Sequence, residues 1–395
     1  MPISDTPRSP ASARALTLAA YASFIPIGIA TVLLGPLLPT LSTRWSLDYS
    51  QAGALFPMQF WASTLAVGFS GLLVSRFGFR FAIKAGLVLI CVSVGALLAG
   101  SKLLGMACIV GYGAGLGLAV PASNLLVAEV NPERRSAALN TVNFCWSVGA
   151  VACPFLVAAA AEGRGMCMFL LFVAALSHVV ALAIAAMPAW IVEPAGDAKG
   201  DVQRKIDWKS QTMLVLGALF FVYVGTENSV GLWIASYAKS LGTLSATMAL
   251  MTPSFFYALL MLGRWVAPFL LRTIDDVKLV RAGVIVACVG MTGILFSHSL
   301  VPVVVSASLA GLGLASVYPI IISLLSREFG PTASRVGSVM FTLANLGGGF
   351  LPWLVGISSS RTGALRAGLF VPLVGGVAMF VLFMRDWKAV SAQQM

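Results

Sequence analysis

Long apolar stretches separated by short polar turns follow one another along almost the whole chain. About 20 residues at 1.5 Å rise cross the hydrocarbon core of a bilayer. Twelve stretches are of that order, near 15–41, 50–74, 81–100, 104–128, 137–161, 166–191, 211–237, 247–271, 280–297, 301–325, 336–360 and 365–384. The pattern predicts an all-α membrane protein with twelve transmembrane helices. The one substantial break, residues 193–209, holds four acidic and four basic residues, Pro194 and two glycines. It reads as a solvated linker between an N-terminal six-helix bundle (1–192) and a C-terminal one (210–395). The first apolar run is long enough to span and lacks a small-residue cleavage site, so no cleavable signal is expected.

Composition agrees with this pattern. Hydrophobic residues make up 59% of the chain and charged residues 10%, against about a quarter charged in average chains. The net charge of +11 raises nucleic acid as a partner, but the cations sit at helix ends rather than in one patch. Arg44, Lys102, Arg164, Lys239, Arg361 and Arg366 fall on one side of the membrane and Arg264 lies within a span, which leaves 18 of the 25 Lys and Arg on the other side. By the positive-inside rule both termini and the linker are expected in the cytoplasm, in a multi-pass plasma membrane such as a bacterial inner membrane. Partners are then a small-molecule substrate and the lipid bilayer, with no nucleic acid, and the chain is expected to be monomeric. The six cysteines show no metal-ligand spacing and read as small buried hydrophobes. His178 and His298 read as isolated, and no metal site is expected.

The two halves share a repeat. Ala114-Gly-Leu-Gly-Leu-Ala119 recurs unchanged as Ala310-Gly-Leu-Gly-Leu-Ala315, and the same offset carries Gly35 onto Gly231, Pro57 onto Pro253 and Arg76 onto Arg272. A nearby offset relates Gly149 and Pro154 to Gly347 and Pro352. The glycine run from Gly111 to Gly117 lacks the strand-turn-helix setting of a nucleotide loop. Gly113 and Gly117 read instead as a face for close helix packing.

Six plus six helices in parallel duplication is the repeat pattern of major facilitator carriers. The turn after the second span, Gly71-Leu-Leu-Val-Ser75-Arg76-Phe-Gly78-Phe-Arg80, resembles that superfamily's signature G-x-L-x-D-R-x-G-R, with serine in the aspartate position. The resemblance implies that Gly71, Arg76, Gly78 and Arg80 help to gate conformational change. The seventh span, Tyr223-Val-Gly-Thr-Glu227-Asn228-Ser-Val-Gly231-Leu-Trp233, and the Gly263-Arg264 pair of the eighth are similar to the fucose/glucose symporter branch. The carboxylates on which fucose carriers rely in helices one and four have no counterpart here. The antiporter pattern of the fifth span is incomplete, because Cys153 precedes Pro154 where glycine is usual, and this disfavours antiport.

Of the fourteen acidic residues only Glu227 lies well inside a span. A carboxylate there is costly unless it is neutral, paired or facing water, so Glu227 is the candidate for proton coupling or substrate binding. The bland reading is a permanently protonated or hydrogen-bonded glutamate that only joins helices. Arg264 is its obvious partner, but counted from the cytoplasmic starts at Ser210 and Arg272 the two lie about 26 Å and about 12 Å deep. That gap argues against a direct ion pair. It leaves Arg264 facing an inward-opening cavity or snorkelling, with pairing in one state of the cycle open.

Polar residues recur at helical spacing: Gln59 and Ser63; Asn140, Asn143 and Ser147 beside Trp146; Ser254, Tyr257, Met261 and Arg264; Thr342, Asn345 and Gly349. Lipid-facing amides are costly, so such stripes line a cavity or bond between helices. With Asn124, Asn228 and Trp233 they complete the candidate substrate-binding set. Amide, hydroxyl and indole groups suit a neutral polyhydroxylated solute. The expectation is a secondary carrier working by alternating access, not an enzyme, moving a sugar or similar solute by proton symport through Glu227. No cofactor is expected beyond H+ or Na+ as coupling ion. The rivals are sodium coupling through Glu227 and Asn228, facilitated diffusion, efflux of amphipathic compounds and a transport-dead receptor. The short linker and the roughly ten residues after Met384 count against a receptor.

Overall fold

The computed structural model describes residues 10–161, 164–187, 207–242, 246–385 and 387. Of the expected linker, only residues 207–209 fall within these. Among the described residues, twelve helices are long and apolar enough to cross a membrane: α1 Ala13–Val32, α2 Tyr49–Phe77, α3 Phe79–Ala96, α4 Lys102–Val130, α5 Ala137–Ala159, α6 Gly165–Ala186, α7 Gln211–Ser240, α8 Thr247–Leu270, α9 Asp276–Phe296, α10 Leu300–Phe329, α11 Val336–Thr362 and α12 Leu365–Phe383. No strand occurs among the described residues. The molecule is an all-α, multi-pass membrane protein of two six-helix sets.

Several boundaries follow from local chemistry. Side-chain oxygens of Asp48, Ser101, Ser210 and Asp275 each accept a backbone N–H from the first turn of the helix that follows, which satisfies donors a helix start leaves free. Gly78 ends α2 with φ of 81°, a left-handed conformation that glycine adopts without steric cost. The expected first span, 15–41, is interrupted in its helical hydrogen bonding at Leu33, whose own φ and ψ stay helical, and resumes as Leu34–Trp45, with Gly35 and Pro36 in its first turn; a proline there loses no helical hydrogen bond.

Contacts group the chain into two compact units. The first holds Met1–Thr31, Leu65–Ala150 and Cys167–Lys199, and the second Val32–Thr64, Val151–Met166 and Gly200–Met395. The units therefore cut across the sequence halves, and the second includes short stretches from the first half.

Within the first unit α3 and α4 touch backbone to backbone. A Cβ on Gly86 would strike the Gly115 carbonyl and Ala119, and one on Gly115 would strike Gly86 and Ile90. Gly111 lies against Ser93 in the same way. Gly111 and Gly115 thus form the packing face towards α3, while Gly113 and Gly117 are also buried. In the second unit Gly283 and Gly313 bring α9 and α10 together identically, with Gly293 against Ser306.

A second crossing is also duplicated. Gly28 of α1 lies on the Trp146 carbonyl and Gly149 of α5 on that of Ile25. Gly225 of α7 lies on the Gly347 carbonyl, and Gly347 of α11 on that of Phe221. In hydrocarbon, small residues let helices associate through dispersion contacts without a hydrophobic driving force. Gly149 and Gly347, related in sequence, are thus also counterparts in these crossings.

The second unit also packs its first-half stretches against its own helices. Gly35 sits on the backbone of Leu232, and Gly53 faces Gly356. Phe56 and Tyr49 bring their rings edge-on to Trp233, at 5.6 and 6.5 Å between centroids. Of the cysteines, Cys108 and Cys153 are buried but Cys167 is exposed. The buried-hydrophobe reading fails for Cys167 because the outer face of a membrane helix is itself apolar.

Candidate functional site

The ionisable centre is built by α7, α8 and α10 within the second unit. Glu227 and Tyr223 are four residues apart on α7 and so share a face. The Tyr223 hydroxyl donates to Oε2 of Glu227. From α8, Nη2 of Arg264 donates to the same Oε2 at 3.3 Å and to the Tyr223 hydroxyl at 3.2 Å. Tyr318 of α10 stacks on Tyr223 with ring centroids 5.6 Å apart and planes at 24°. Phe220 then contacts Tyr318 and Phe341 edge-on. The side chains of Glu227 and Arg264 are only 12% and 23% exposed, so the pair sits largely out of water, where an unpaired charge would be costly.

The ion pair corrects the expectation from depth. The cytoplasmic starts used as reference, Ser210 and Arg272, are not level: Ser210 caps α7, whereas α8 ends at Leu270 and Arg272 lies in the turn beyond it. The short connection between Ser240 and Thr247 is the better ruler. From it Glu227 is about 20 Å along α7, and Arg264 and Tyr223 are each about 26 Å along their helices. Arg264 is therefore level with Tyr223 and reaches about one helical turn to Glu227. Neither snorkelling nor isolation describes it.

Around this centre the other candidates fall into distinct settings. Tyr257 is 3% exposed, its hydroxyl lies against Gly231, and that hydroxyl finds no hydrogen-bond partner among the described residues. Nε of Arg264 is likewise without one. The Asn228 amide donates to Val224 O at 2.9 Å in its own helix, and Asn345 is half-buried. Trp233 is 1% exposed and its indole N–H donates to Pro352 O at 2.8 Å, so nothing of it is open to a solute in this conformation. Gln59 is buried at 1% exposure.

In the first unit Trp146 donates to the Thr31 hydroxyl at 3.3 Å and Asn124 is half-buried. Asn140 and Asn143 are exposed, the latter bonding Leu139 O. Ser147 and Thr342 also bond the carbonyl four residues back. Such back-bonding is a cheap way to satisfy a polar group on a helix in lipid. It, rather than bonding between helices, accounts for several members of the polar stripes; Ser254, which donates to Val151 O, and Arg264 bond between helices instead.

The turn motif divides into two jobs. Arg80 donates through Nε to Ile184 O at 3.2 Å and through Nη2 to Ala185 O, and so caps the end of α6. Arg76 is exposed and its guanidinium lies 5.5 Å from the centre of the Phe77 ring. Gly71 is open, with nothing within 4 Å of a would-be Cβ. Sequence reading missed the counterpart of Arg80: Arg281 of α9 donates to Phe383 O at 2.9 Å and caps α12. An arginine near the start of the third helix of each half was the available signal. Tyr223 and Tyr318 were also missed as partners, although the spacing of Tyr223 from Glu227 pointed to it. His298 is not isolated, since its Nδ1 faces Nη2 of Arg366 at 3.2 Å.

A family model for the Major Facilitator Superfamily matches residues 20–352. The chain belongs to the major facilitator superfamily. A glucose/galactose transporter of Brucella abortus biovar 1 (strain 9-941) is 26% identical over 374 residues, 88% of each chain. The glucose/mannose transporter GlcP of Bacillus subtilis (strain 168) is 23% identical over 379 residues, 91% of this chain and 92% of that one. Among solved structures, a D-xylose–proton symporter superposes with a TM-score of 0.79 at 15% identity, over 95% of this chain and 98% of the other. A bacterial homologue of the human lysosomal transporter Spinster gives 0.75 at 16% identity, over 97% and 96%. At these identities the structures establish the shared superfamily fold, and the carrier's ionisable centre has to be read from its own residues.

Proposed function

We propose that the protein is a secondary active transporter that moves a sugar by alternating access, as a proton symporter with Glu227 as the coupling group. The observation that carries this reading is the buried Glu227–Tyr223–Arg264 cluster. An intramembrane carboxylate with a cationic partner is a functional feature by default. As the carboxylate it pairs with Arg264; as the neutral acid it releases the guanidinium. A proton and a conformational preference are thus linked at one oxygen. The names of the Brucella and Bacillus relatives support a hexose as substrate.

Arg264 also bears on the sodium alternative. A guanidinium 3.3 Å from Oε2 of Glu227 repels a metal cation there, whereas a proton merely displaces it. The cytoplasmic placement of the termini and linker, a bacterial inner membrane and a monomeric state complete the reading, together with the division into bundles at 1–192 and 210–395. Purified protein in liposomes tests it. An inward pH gradient should drive accumulation of glucose or galactose, a sodium gradient should not, and Glu227→Gln should retain sugar counterflow while losing accumulation. Accumulation by Glu227→Gln at the wild-type level would sink the coupling role.

A further inference from the structure

A second site lies in the first unit, whereas the ionisable centre belongs to the second. Ala66, Phe69, Leu72 and Leu73 of α2 and Ala114 and Leu118 of α4 line an open apolar cavity of about 440 Å³. That is within the range of small-molecule pockets and ample for a stretch of one acyl chain. Leu72 and Phe69 are 65% and 62% exposed, on a helix long and apolar enough to cross a membrane.

The mouth of the cavity is basic and aromatic. Arg76 and Phe77 complete its lining where α2 ends. The Arg76 guanidinium lies 5.5 Å from the Phe77 ring centre, Phe77 and Phe81 are 4.9 Å apart, and the Lys84 ammonium lies 5.7 Å from the Phe81 ring. Two cations therefore bracket one aromatic pair at the end of a spanning helix, the level at which aromatic and basic residues meet headgroups. Ser75, which stands where the superfamily motif carries its aspartate, bonds only to Leu72 O in its own helix. No carboxylate among the described residues pairs with Arg76 or Lys84. Positive charge without an anion, above an apolar slot, is the complement of an anionic phospholipid.

We infer that the α2–α4 groove is a binding site for an anionic glycerophospholipid, with one acyl chain in the slot, the phosphate held by Arg76 at its mouth, and Lys84 adding positive charge beyond the Phe77–Phe81 pair. Basic residues at a membrane surface attract acidic lipids individually and weakly, and the slot adds a chain contact that confines the lipid to one place.

Native mass spectrometry of the full-length protein in detergent, with phosphatidylglycerol or phosphatidylcholine added, is the test. The wild type should retain phosphatidylglycerol in clear preference. The doubly substituted Arg76→Gln/Lys84→Gln protein should lose that preference by about twenty-fivefold, at roughly fivefold per cation. Ala114→Phe, which fills the slot, should reduce retention of both lipids. Phosphatidylglycerol with a photoactivatable acyl chain should label peptides of α2 and α4 in the unsubstituted protein, a readout that needs no variant to fold. Equal retention of the two lipids by the wild type, an unchanged preference in the double variant, or labelling confined to other helices would each overturn the assignment.

Discussion

Arg264 and Glu227, on neighbouring helices of the second half, share one oxygen with Tyr223: the guanidinium and the phenol both donate to Oε2. Removing one member of a buried pair leaves the other charged and uncompensated, at a cost on the order of 3 kcal/mol. Arg264→Gln should therefore lower the unfolding temperature in detergent more than the double variant Arg264→Gln/Glu227→Gln does. A double variant as unstable as the sum of its parts would mean that the pair is not coupled.

Tyr223→Phe keeps the ring stacked on Tyr318 but removes the hydroxyl between acid and base. The expected result is a near-normal fold, with the pH dependence of sugar accumulation displaced from that of wild type. Measuring accumulation against internal and external pH checks it, and an unchanged profile would confine Tyr223 to a packing role.

Trp233→Ala should cost about 3–5 kcal/mol by opening a large cavity beside Phe56 and Tyr49. Trp233→Phe should cost less, about 1–2 kcal/mol, chiefly by leaving the Pro352 carbonyl without its donor. Thermal unfolding of the two variants in one detergent should rank them in that order.

Gly347→Ala should fail to fold or lose most of its stability, because its Cβ would meet the Phe221 carbonyl, which is backbone and cannot step aside. Gly337→Ala on the same helix meets nothing nearer than 3.5 Å. It should be neutral or stabilising by up to about 1 kcal/mol through helix propensity. Yield and melting temperature of the pair provide the comparison.

Arg80→Gln and Arg281→Gln each strip carbonyls of a helix end of a charged donor. Each should cost roughly 1–2 kcal/mol, and the two losses should be similar although only Arg80 belongs to a recognisable motif. A large loss for Arg80 beside none for Arg281 would show that the two caps are not equivalent.

How much of this was legible in the sequence depends on the range of the interaction. Helices were legible because membrane crossing is written into local hydropathy, and the duplicated glycines at 149 and 347 were legible because backbone contact tolerates little else. The break at Leu33 was hidden, since the apolar run continues through it. The Glu227–Arg264 pair was misjudged because the relative depth of two helices is set by the turn joining them, not by where their outer ends meet water. Tyr318 could not be found by spacing at all, for it reaches the centre from a third helix. Trp233 illustrates the opposite error: an aromatic in a suggestive motif whose polar atom is already spent on a carbonyl.

The paired glycine crossings have a consequence for how such a chain can diverge. Where two helices meet through backbone atoms, their spacing and angle are held by positions that carry no side-chain chemistry. Every other position on those helices can then drift without moving the axes. One half is free to acquire a buried acid–base pair while its twin carries no acidic residue well inside a span, and both still present matching frames. Inequality of chemistry between geometric twins is what the crossings permit.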